Sequence, residues 1–173
     1  MTNTIVLLGY MGCGKSRVGI PLAQSIDIPY VDLDSYIEEQ EKMNIKNIFD
    51  VEGELYFRKK ERQYLEQLLT QKEPIVLSLG GGTPCYYDSM DYILNSNAVS
   101  FYLKASLVTL VDRLFTERHK RPLISHLQTK ENLLEYIGKH LFERLPFYGK
   151  ASHIVSVDNA TPQEIALSIR HLV

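Results

Sequence analysis

The sequence predicts an α/β protein: a three-layer, doubly wound domain with a five-stranded parallel sheet. Short, continuously apolar runs alternate with longer helical patterns from one end of the 173-residue chain to the other. Such apolar runs are typical of strands that are buried on both faces, as in parallel sheets. No repeat, low-complexity run or linker interrupts the alternation, so one domain covering residues 1–173 is expected.

The predicted elements follow one another in regular order. Five apolar runs are expected to form strands, at residues 4–8, 30–33, 75–79, 99–103 and 154–157. Seven helical patterns lie between or after them, at residues 15–25, 35–41, 53–71, 87–95, 106–117, 130–147 and 161–172. The last helix carries its own start signal, because Thr161 and Pro162 are followed by Glu164 in a capping-box arrangement.

The run GYMGCGKS, residues 9–16, links the first strand to the first helix. Its glycines allow successive backbone N–H groups to point into one concavity, where they hold phosphate groups. Lys15 supplies a positive charge for the β- and γ-phosphates of a nucleotide, and the Ser16 hydroxyl is a ligand for Mg²⁺. The motif therefore predicts nucleotide binding but leaves the reaction open.

Two carboxylates, Asp32 and Asp34, follow the second strand. Ligands of open parallel sheets bind outside the carboxyl ends of the strands, so this pair is expected opposite the phosphate loop. In an extended chain both side chains point to the same side, where one can hold Mg²⁺ through water and the other can meet an acceptor hydroxyl. The structural alternative is a turn aspartate plus a helix N-cap at Asp34.

Three consecutive glycines, Gly80 to Gly82, end the third strand. Glycines in a row cost backbone entropy and contribute no packing, so they indicate a close approach of the backbone to a ligand. A plain turn is the alternative interpretation. The position at the ligand edge of the sheet favours the first of these.

Residues 118–129, with the sequence RHKRPLISHLQT, show no clear period. Connections of this length in a compact domain are usually functional. We therefore expect a mobile lid at about residues 117–129.

Composition excludes several other classes of protein. The formal net charge of −2 lacks the surplus of Lys and Arg that nucleic-acid binding needs. No stretch approaches the roughly 18 apolar residues of a membrane span, and no basic segment precedes the first apolar run. The two cysteines, Cys13 and Cys85, form no CxxC pair, which favours a reducing cytoplasm.

Two further patterns concern metal binding and assembly. The five histidines lack the spacing of a metal site, so they are interpreted as surface or core residues. No apolar stripe indicates a subunit interface, and a monomer is expected.

Six motifs follow one another along the chain: GYMGCGKS at 9–16, DLD at 32–34, GELYFRKKE at 53–61, SLGGGT at 78–83, RHKRPLI at 118–124 and ERLPFYGKA at 143–151. Their order resembles that of the shikimate kinases, which are small P-loop kinases related to the nucleoside monophosphate kinases. The resemblance implies that ATP phosphorylates the 3-hydroxyl of shikimate, giving shikimate 3-phosphate and ADP, with Mg²⁺ as the cofactor.

The resemblance also implies roles on the acceptor side. Asp34 is similar to the acidic residue that binds the shikimate hydroxyl and acts as a base or orients that hydroxyl. Arg58, held by Glu61, and Arg144 are similar to the two arginines that bind the carboxylate. The implied substrate-binding residues are Asp34, Arg58, Gly80, Gly81, Gly82 and Arg144, several of them in or near a helical segment at about residues 34–62.

On the donor side, Arg121 is similar to the lid arginine that reaches the transferring phosphate, and Arg113 to the arginine that stacks on adenine. The implied ATP-binding residues are Gly12, Cys13, Gly14, Lys15, Ser16, Arg17, Arg113 and Arg121. Ser16 and Asp32 match the Mg²⁺ side of the family's site. The implied catalytic residues are Asp34, Lys15 and Arg121.

Two alternatives stay open. Another small-metabolite kinase, such as a gluconate kinase-like enzyme, would share the phosphate loop, but the paired arginines and the glycine run favour shikimate. A nucleotide-dependent switch that binds GTP needs an NKxD motif after a strand. The chain offers only VDNAT at residues 157–161.

Overall fold

A computed structural model describes residues 3–173 and contains one five-stranded parallel sheet. Met1 and Thr2, which the predicted domain includes, lie outside the described residues. The strands are β1 (Ile5–Leu8), β2 (Tyr30–Asp32), β3 (Val76–Ser78), β4 (Val99–Lys104) and β5 (His153–Ser156). Their order in the sheet is β2-β3-β1-β4-β5, and all neighbouring pairs are parallel. The prediction of a five-stranded parallel sheet is confirmed.

The described residues form eight α-helices: α1 (Lys15–Ser25), α2 (Leu33–Glu41), α3 (Ile45–Val51), α4 (Glu54–Thr70), α5 (Ser89–Asn95), α6 (Leu107–Glu117), α7 (Lys130–Tyr148) and α8 (Pro162–Arg170). Single 3₁₀ turns follow β3 and α6, at Thr83–Cys85 and Arg118–Lys120. No helix within residues 3–173 combines the length and the apolar character that a membrane crossing needs.

Strand β1 forms the centre of the core, since all four of its residues are fully buried. In the register of the sheet, Ile5 lies between Val76 of β3 and Val99 of β4. The chain runs from β1 out to β2, returns to β3, and then passes β1 to reach β4 and β5. Because crossovers between parallel strands are right-handed, connections on opposite sides of β1 place helices on both faces of the sheet.

Helix α3 was not predicted. It has seven residues, and its N-cap is Asn44, whose side chain accepts a hydrogen bond of 2.8 Å from the backbone N–H of Asn47. Helices this short show too few turns for a clear apolar period. The predicted capping box of α8 is present, with Thr161 Oγ1 accepting from the Glu164 N–H at 3.3 Å.

The boundary between β2 and α2 differs from the prediction. The strand ends at Asp32 and the helix begins at Leu33, so the segment 32–34 is not extended. The Asp32 carboxylate caps the helix by accepting from the backbone N–H of Ser35 at 3.1 Å, and Asp34 lies in the first helical turn. The alternative N-cap at Asp34 was therefore wrong, because the N-cap is Asp32, two residues earlier. The expectation that an extended chain points both aspartates to the same side was also wrong.

The predicted lid, residues 117–129, consists of turns between α6 and α7. Backbone N–H groups of Ile124 and Ser125 donate to the Arg121 carbonyl at 3.1 and 2.9 Å. The Ile124 side chain is fully buried, so the core holds the middle of this segment.

Candidate active site

The phosphate loop, Asp34 and the glycine run meet at the carboxyl edge of the sheet, around an open cavity of about 560 Å³. A larger cavity of about 810 Å³ lies at the opposite edge, next to Thr4, Pro74 and Ala98, which precede β1, β3 and β4. Ligands of open parallel sheets bind at the carboxyl edge. We therefore take the smaller cavity, where the charged side chains converge, as the site.

The phosphate loop needs glycine at particular positions. Gly12 and Gly14 have φ values of 80° and 102°, a region that side chains rarely adopt. A Cβ atom at Gly12 would lie only 2.9 Å from Leu114 of α6. The loop then leads into α1 at Lys15, so the helix N-terminus points its free N–H groups toward the cavity, as an anion site requires.

Two cations lie against carbonyl groups of the phosphate loop. Lys15 Nζ donates to the carbonyls of Gly9 and Tyr10 at 2.8 and 3.3 Å. Arg113 Nη1 donates to the carbonyls of Gly12 and Cys13, both at 3.2 Å. Two of the four cations that the resemblance implies for ATP binding, Lys15 and Arg113, thus contact the loop directly.

The Cys13 side chain is buried, with 2% exposure, and its sulfur lies 3.9 Å from Lys15 Nζ. The thiol therefore packs in the core, and it is the backbone of Cys13 that forms part of the loop. Arg17 is exposed and borders the cavity, as does Ser16.

Asp34 carries the most perturbed carboxyl group of the site. Burial raises its pKa to about 6, and the negative charges of Asp32 and Glu61 act in the same direction. Lys15 and Arg58 oppose that shift without cancelling it. A carboxylate with a raised pKa inside a cleft is a typical acid-base group.

The glycine run is in contact with three charged side chains. A Cβ atom at Gly80 would lie 2.8 Å from Asp34 Oδ1, one at Gly81 would lie 3.1 Å from Arg144 Nη1, and one at Gly82 would lie 3.0 Å from Arg58 Nη2. None of the three has a positive φ, so space rather than backbone conformation demands glycine here. The predicted substrate-binding residues, from α2, α4 and α7, therefore converge on one short segment.

Arg58 is fixed by a buried carboxylate, as the resemblance implied. Its Nη1 donates to Glu61 Oε2 at 2.8 Å, and the Thr83 hydroxyl donates to Glu61 Oε1 at 2.6 Å. Glu61 has only 2% exposure. The Tyr86 ring packs against the guanidinium, with its centroid 3.8 Å from Arg58 Cζ.

Arg144 is fixed by a different kind of partner. Its Nη2 lies 2.9 Å from His140 Nε2, and the other ring nitrogen of His140 lies 3.0 Å from the Tyr10 hydroxyl. Burial and the Arg144 charge lower the pKa of His140. Tyr148 is also buried there and donates to the Gly81 carbonyl at 2.5 Å.

Sequence reasoning missed His140, Tyr10 and Tyr86. The histidines were assessed only for metal-site spacing, whereas the useful signal was the four-residue separation of His140 from Arg144 on a helix. The positions of Tyr10 and Tyr86 against the arginines depend on tertiary packing, which no local pattern indicates.

Arg121 of the lid segment borders the cavity together with Arg113 and Glu117. Its Nη2 lies 3.5 Å from Glu117 Oε2 one turn earlier. Its Nε is buried and has no hydrogen-bond partner within residues 3–173. The predicted lid arginine is therefore beside the phosphate loop and has donor groups to spare.

The residues near Ser16 fit a magnesium ion. The Ser16 hydroxyl and the carboxylates of Asp32 and Asp34 border the same cavity, and Mg²⁺ prefers oxygen ligands of this kind. The hydroxyls of Tyr30 and Ser78 are buried there without a partner in the described part of the chain. Tyr30 faces Ser16, Ser78 and Asp32, so unsatisfied oxygen atoms surround this corner.

A parallel sheet with a phosphate loop after its central strand and a charged acceptor pocket beside that loop defines the class of protein, a small P-loop kinase. Comparison with known proteins narrows the class. A family model described as shikimate kinase matches residues 11–173. The chain belongs to the shikimate kinase family, and it is an ATP-using kinase.

Individual relatives agree with the family model. A shikimate kinase from Flavobacterium johnsoniae is 46% identical over 165 residues, 95% of each chain, and one from Flavobacterium psychrophilum is 38% identical over 98% of each. The crystal structure of a shikimate kinase from Bacteroides thetaiotaomicron has a TM-score of 0.88 and 31% identity, covering 98% of this chain and 97% of that one.

Two further solved structures show how similarity in fold differs from similarity in family. A shikimate kinase from Acinetobacter baumannii in complex with shikimate has a TM-score of 0.86 and 27% identity, covering 99% of this chain and 93% of that one. A gluconokinase from Sinorhizobium meliloti has a TM-score of 0.57 and 19% identity, covering 98% and 93%. The second likeness extends to the fold alone, and the gluconate kinase-like alternative is not favoured.

Proposed function

We propose that this protein transfers the γ-phosphate of ATP to the 3-hydroxyl of shikimate, in the biosynthesis of chorismate and the aromatic amino acids. The observation that carries the proposal is the convergence of Asp34, Arg58 and Arg144 on Gly80–Gly82. A carboxylate and two arginines suit a small acid that also presents a hydroxyl group.

On the acceptor side, Arg58 and Arg144 bind the carboxylate of shikimate. Guanidinium groups present planar forks of N–H donors that match the two oxygens of a carboxylate, which lysine cannot do. The two arginines come from separate helices, α4 and α7, so they approach one carboxylate from different directions. This fixes the ring and places its hydroxyl near Asp34.

Asp34 meets the hydroxyl that is phosphorylated. With a pKa of about 6 it is largely ionised at neutral pH and more basic than an ordinary aspartate. Its carboxylate orients the hydroxyl and accepts the proton as the phosphoryl group arrives. Phosphoryl transfer depends mainly on position and charge, so both functions serve the same step.

On the donor side, the phosphate-loop amides and Lys15 bind the phosphates of ATP. In doing so Lys15 exchanges its bonds to the Gly9 and Tyr10 carbonyls for bonds to phosphate oxygens. Arg113 and Arg17 extend the site toward the rest of the nucleotide. Ser16 and Asp32 would hold Mg²⁺, which would supply positive charge beside the phosphates when bound.

The lid completes the donor site. Arg121 reaches the transferring phosphoryl group, where its positive charge offsets the charge on the oxygens. Movement over the cavity of the parts of residues 117–129 on either side of the buried Ile124 excludes water, which would otherwise hydrolyse ATP. The ion pair of Arg121 with Glu117 is solvent-accessible and weak, so it releases the arginine easily.

We also propose that the protein acts as a monomer in the cytoplasm. Both cysteines are free thiols, which agrees with a reducing compartment. The partners are then ATP and shikimate alone.

The test is a coupled assay of ADP release with purified protein, ATP and Mg²⁺, followed by mass spectrometry of the phosphorylated acid product. We expect ADP release that depends on shikimate, with shikimate 3-phosphate formed in equal amount. Gluconate serves as the matched control acceptor. Equal turnover with gluconate, or ADP release that shikimate does not change, would contradict the proposal.

A further inference from the structure

His140 lies between an arginine of the acceptor pocket and the phosphate loop. His140 and Arg144 are four residues apart on α7, so their side chains share one face of that helix. The Arg144 guanidinium lies 2.9 Å from His140 Nε2, and the Tyr10 hydroxyl lies 3.0 Å from His140 Nδ1. The imidazole thus has a polar partner at each of its two nitrogens.

The chemistry of these partners decides where the imidazole proton is. A guanidinium has only N–H donors, so a hydrogen bond from Arg144 requires His140 Nε2 to be an unprotonated acceptor. The single ring proton is then on Nδ1, from which it is donated to the Tyr10 oxygen. The contacts are satisfied only by the neutral imidazole in this one tautomer.

We propose that His140 is a positioning residue, which holds the Arg144 guanidinium in the orientation that receives the carboxylate of the acid substrate. Protonation of the ring would turn its acceptor nitrogen into a donor that faces another donor, and would add a like charge. When the ring becomes protonated in acid, therefore, the arginine loses this hydrogen bond. The inference rests on the role proposed above for Arg144.

The surroundings of His140 support a neutral ring at physiological pH. Burial lowers its pKa, the Arg144 charge lowers it further, and Glu143 of the same helix acts in the opposite direction. Tyr10 faces the ring from the phosphate loop, and burial raises its pKa, so it stays a neutral hydroxyl. Tyr136 packs edge-on against the imidazole, with the ring centroids 5.5 Å apart.

One more titratable group lies nearby, on the lid. His126 packs edge-on against the far side of this cluster, 6.5 Å from the Tyr136 ring. Its partner there is Tyr136 rather than His140. The His140 contacts to the arginine and the phosphate loop therefore do not depend on it.

The experiment measures shikimate binding by calorimetry, without nucleotide, from about pH 5.5 to pH 8. The proteins are the wild type, His140→Gln, His140→Leu and the control His171→Gln, which changes an exposed histidine near the C-terminus. Glutamine offers a carbonyl oxygen to Arg144 and does not titrate, whereas leucine offers no acceptor. The carboxylate of shikimate stays ionised throughout this range.

We expect His140→Leu to bind shikimate on the order of tenfold more weakly at pH 8, as for the loss of one hydrogen bond to a charged group. His140→Gln should bind close to the wild type at that pH. The ratio of wild-type to His140→Gln affinity should be constant down to about pH 6.5, because the pKa of His140 is lowered from that ordinary value, and should fall at more acidic pH. Asp34 titrates in both proteins, so its contribution cancels in the ratio.

Steady-state assays give a second readout at pH 8. The KM for shikimate should rise in His140→Leu, while the KM for ATP stays at the wild-type value. The inference is overturned if His140→Leu binds shikimate as the wild type does, or if the affinity ratio to His140→Gln is constant with pH. If His140→Leu does not fold, the pH dependence of the ratio of wild-type to His140→Gln affinity for shikimate tests the inference by itself.

Arg144→Leu separates this inference from the proposed function. If Arg144→Leu loses shikimate affinity while both His140 variants match the wild type, only the positioning role of His140 is wrong. If Arg144→Leu binds shikimate normally, the proposed carboxylate contact of Arg144 is wrong, and the inference fails with it.

Discussion

The two arginines of the acceptor pocket are held in place by different chemistry. Arg58 forms an ion pair with Glu61, a buried carboxylate that also accepts from Thr83. Arg144 is hydrogen bonded to His140, a neutral ring that continues to Tyr10. Arg58 thus forms a buried ion pair, whereas the partner of Arg144 is an uncharged hydrogen-bonding group. The two arginines should therefore respond differently to mutation and to pH.

The difference also affects Asp34, whose pKa is influenced by both Arg58 and Glu61. The negative charge of Glu61 helps to raise the pKa of Asp34, whereas a neutral imidazole contributes no such charge. Fixing Arg58 with a carboxylate therefore makes Asp34 more basic. Holding Arg144 with histidine adds no further negative charge to the carboxylates of Asp32, Asp34 and Glu61, which suits the anionic substrate proposed above.

Removal of Glu61 gives the largest expected effect. Glu61→Ala removes the buried counter-charge of Arg58, whose side chain is only 13% exposed, and leaves the exposed Glu54 carboxylate at 3.5 Å as its remaining acidic partner. Loss of one partner of a buried pair costs about 3–5 kcal/mol of stability. Urea unfolding at pH 7.5 measures this, with His140→Leu as the matched variant for the other arginine.

We expect the histidine variant to lose about 2 kcal/mol, because it removes two part-buried hydrogen bonds, one to Arg144 and one to Tyr10. Equal losses for the two variants would mean that the two arginines are supported alike. The comparison drawn here would then be wrong.

The Asp34→Asn variant tests the electrostatic side of the comparison. A pKa raised from 3.8 to about 6 means that ionised Asp34 opposes folding by about 2–3 kcal/mol at pH 7.5. The folded state binds the proton more tightly than the unfolded state, so this cost disappears as the pH falls from 6 toward 4. Asp34→Asn should therefore be more stable than the wild type at pH 7.5 and nearly equal to it at pH 4.

The same variant should turn over slowly while ATP binding is largely retained. Unfolding curves at several pH values and a calorimetric titration with ATP provide the measurements. Wild-type turnover in Asp34→Asn would remove Asp34 from the mechanism, and lower stability at pH 7.5 would contradict the raised pKa.

Arginine-to-lysine substitutions give the smallest of these effects and separate charge from geometry. Arg58→Lys and Arg144→Lys keep a positive charge but lose the planar fork, so the KM for shikimate should rise about tenfold while that for ATP is unchanged. Arg58→Lys should also lose stability, because lysine matches the Glu61 carboxylate poorly. An equal loss of affinity for both substrates would show that the arginines support the whole domain.

The donor half of the site was predictable from sequence and the acceptor half only in part, for a physical reason. The phosphate loop is a continuous segment whose function depends on backbone N–H groups, so glycine spacing and Lys15 indicate it directly. The acceptor pocket combines side chains from α2, α4 and α7. Their grouping came from the family resemblance, since no single pattern joins Asp34, Arg58 and Arg144.

The strands and their parallel arrangement were predicted from sequence, because buried strands produce short, mainly apolar runs such as residues 75–79 and 99–103. The errors are local. Helix α3 is too short to show a period, and β2 ends one residue early because the Asp32 side chain caps α2. His140 was overlooked because its value lies in a tertiary contact with Tyr10 and a helical contact with Arg144.

The most direct test of the central claim is a crystal structure of this protein with shikimate and ADP bound. The account predicts that both Arg58 and Arg144 donate to the shikimate carboxylate at about 2.7–2.9 Å, with the 3-hydroxyl next to Asp34. A carboxylate that contacts neither arginine, or a 3-hydroxyl that lies away from Asp34, would contradict it.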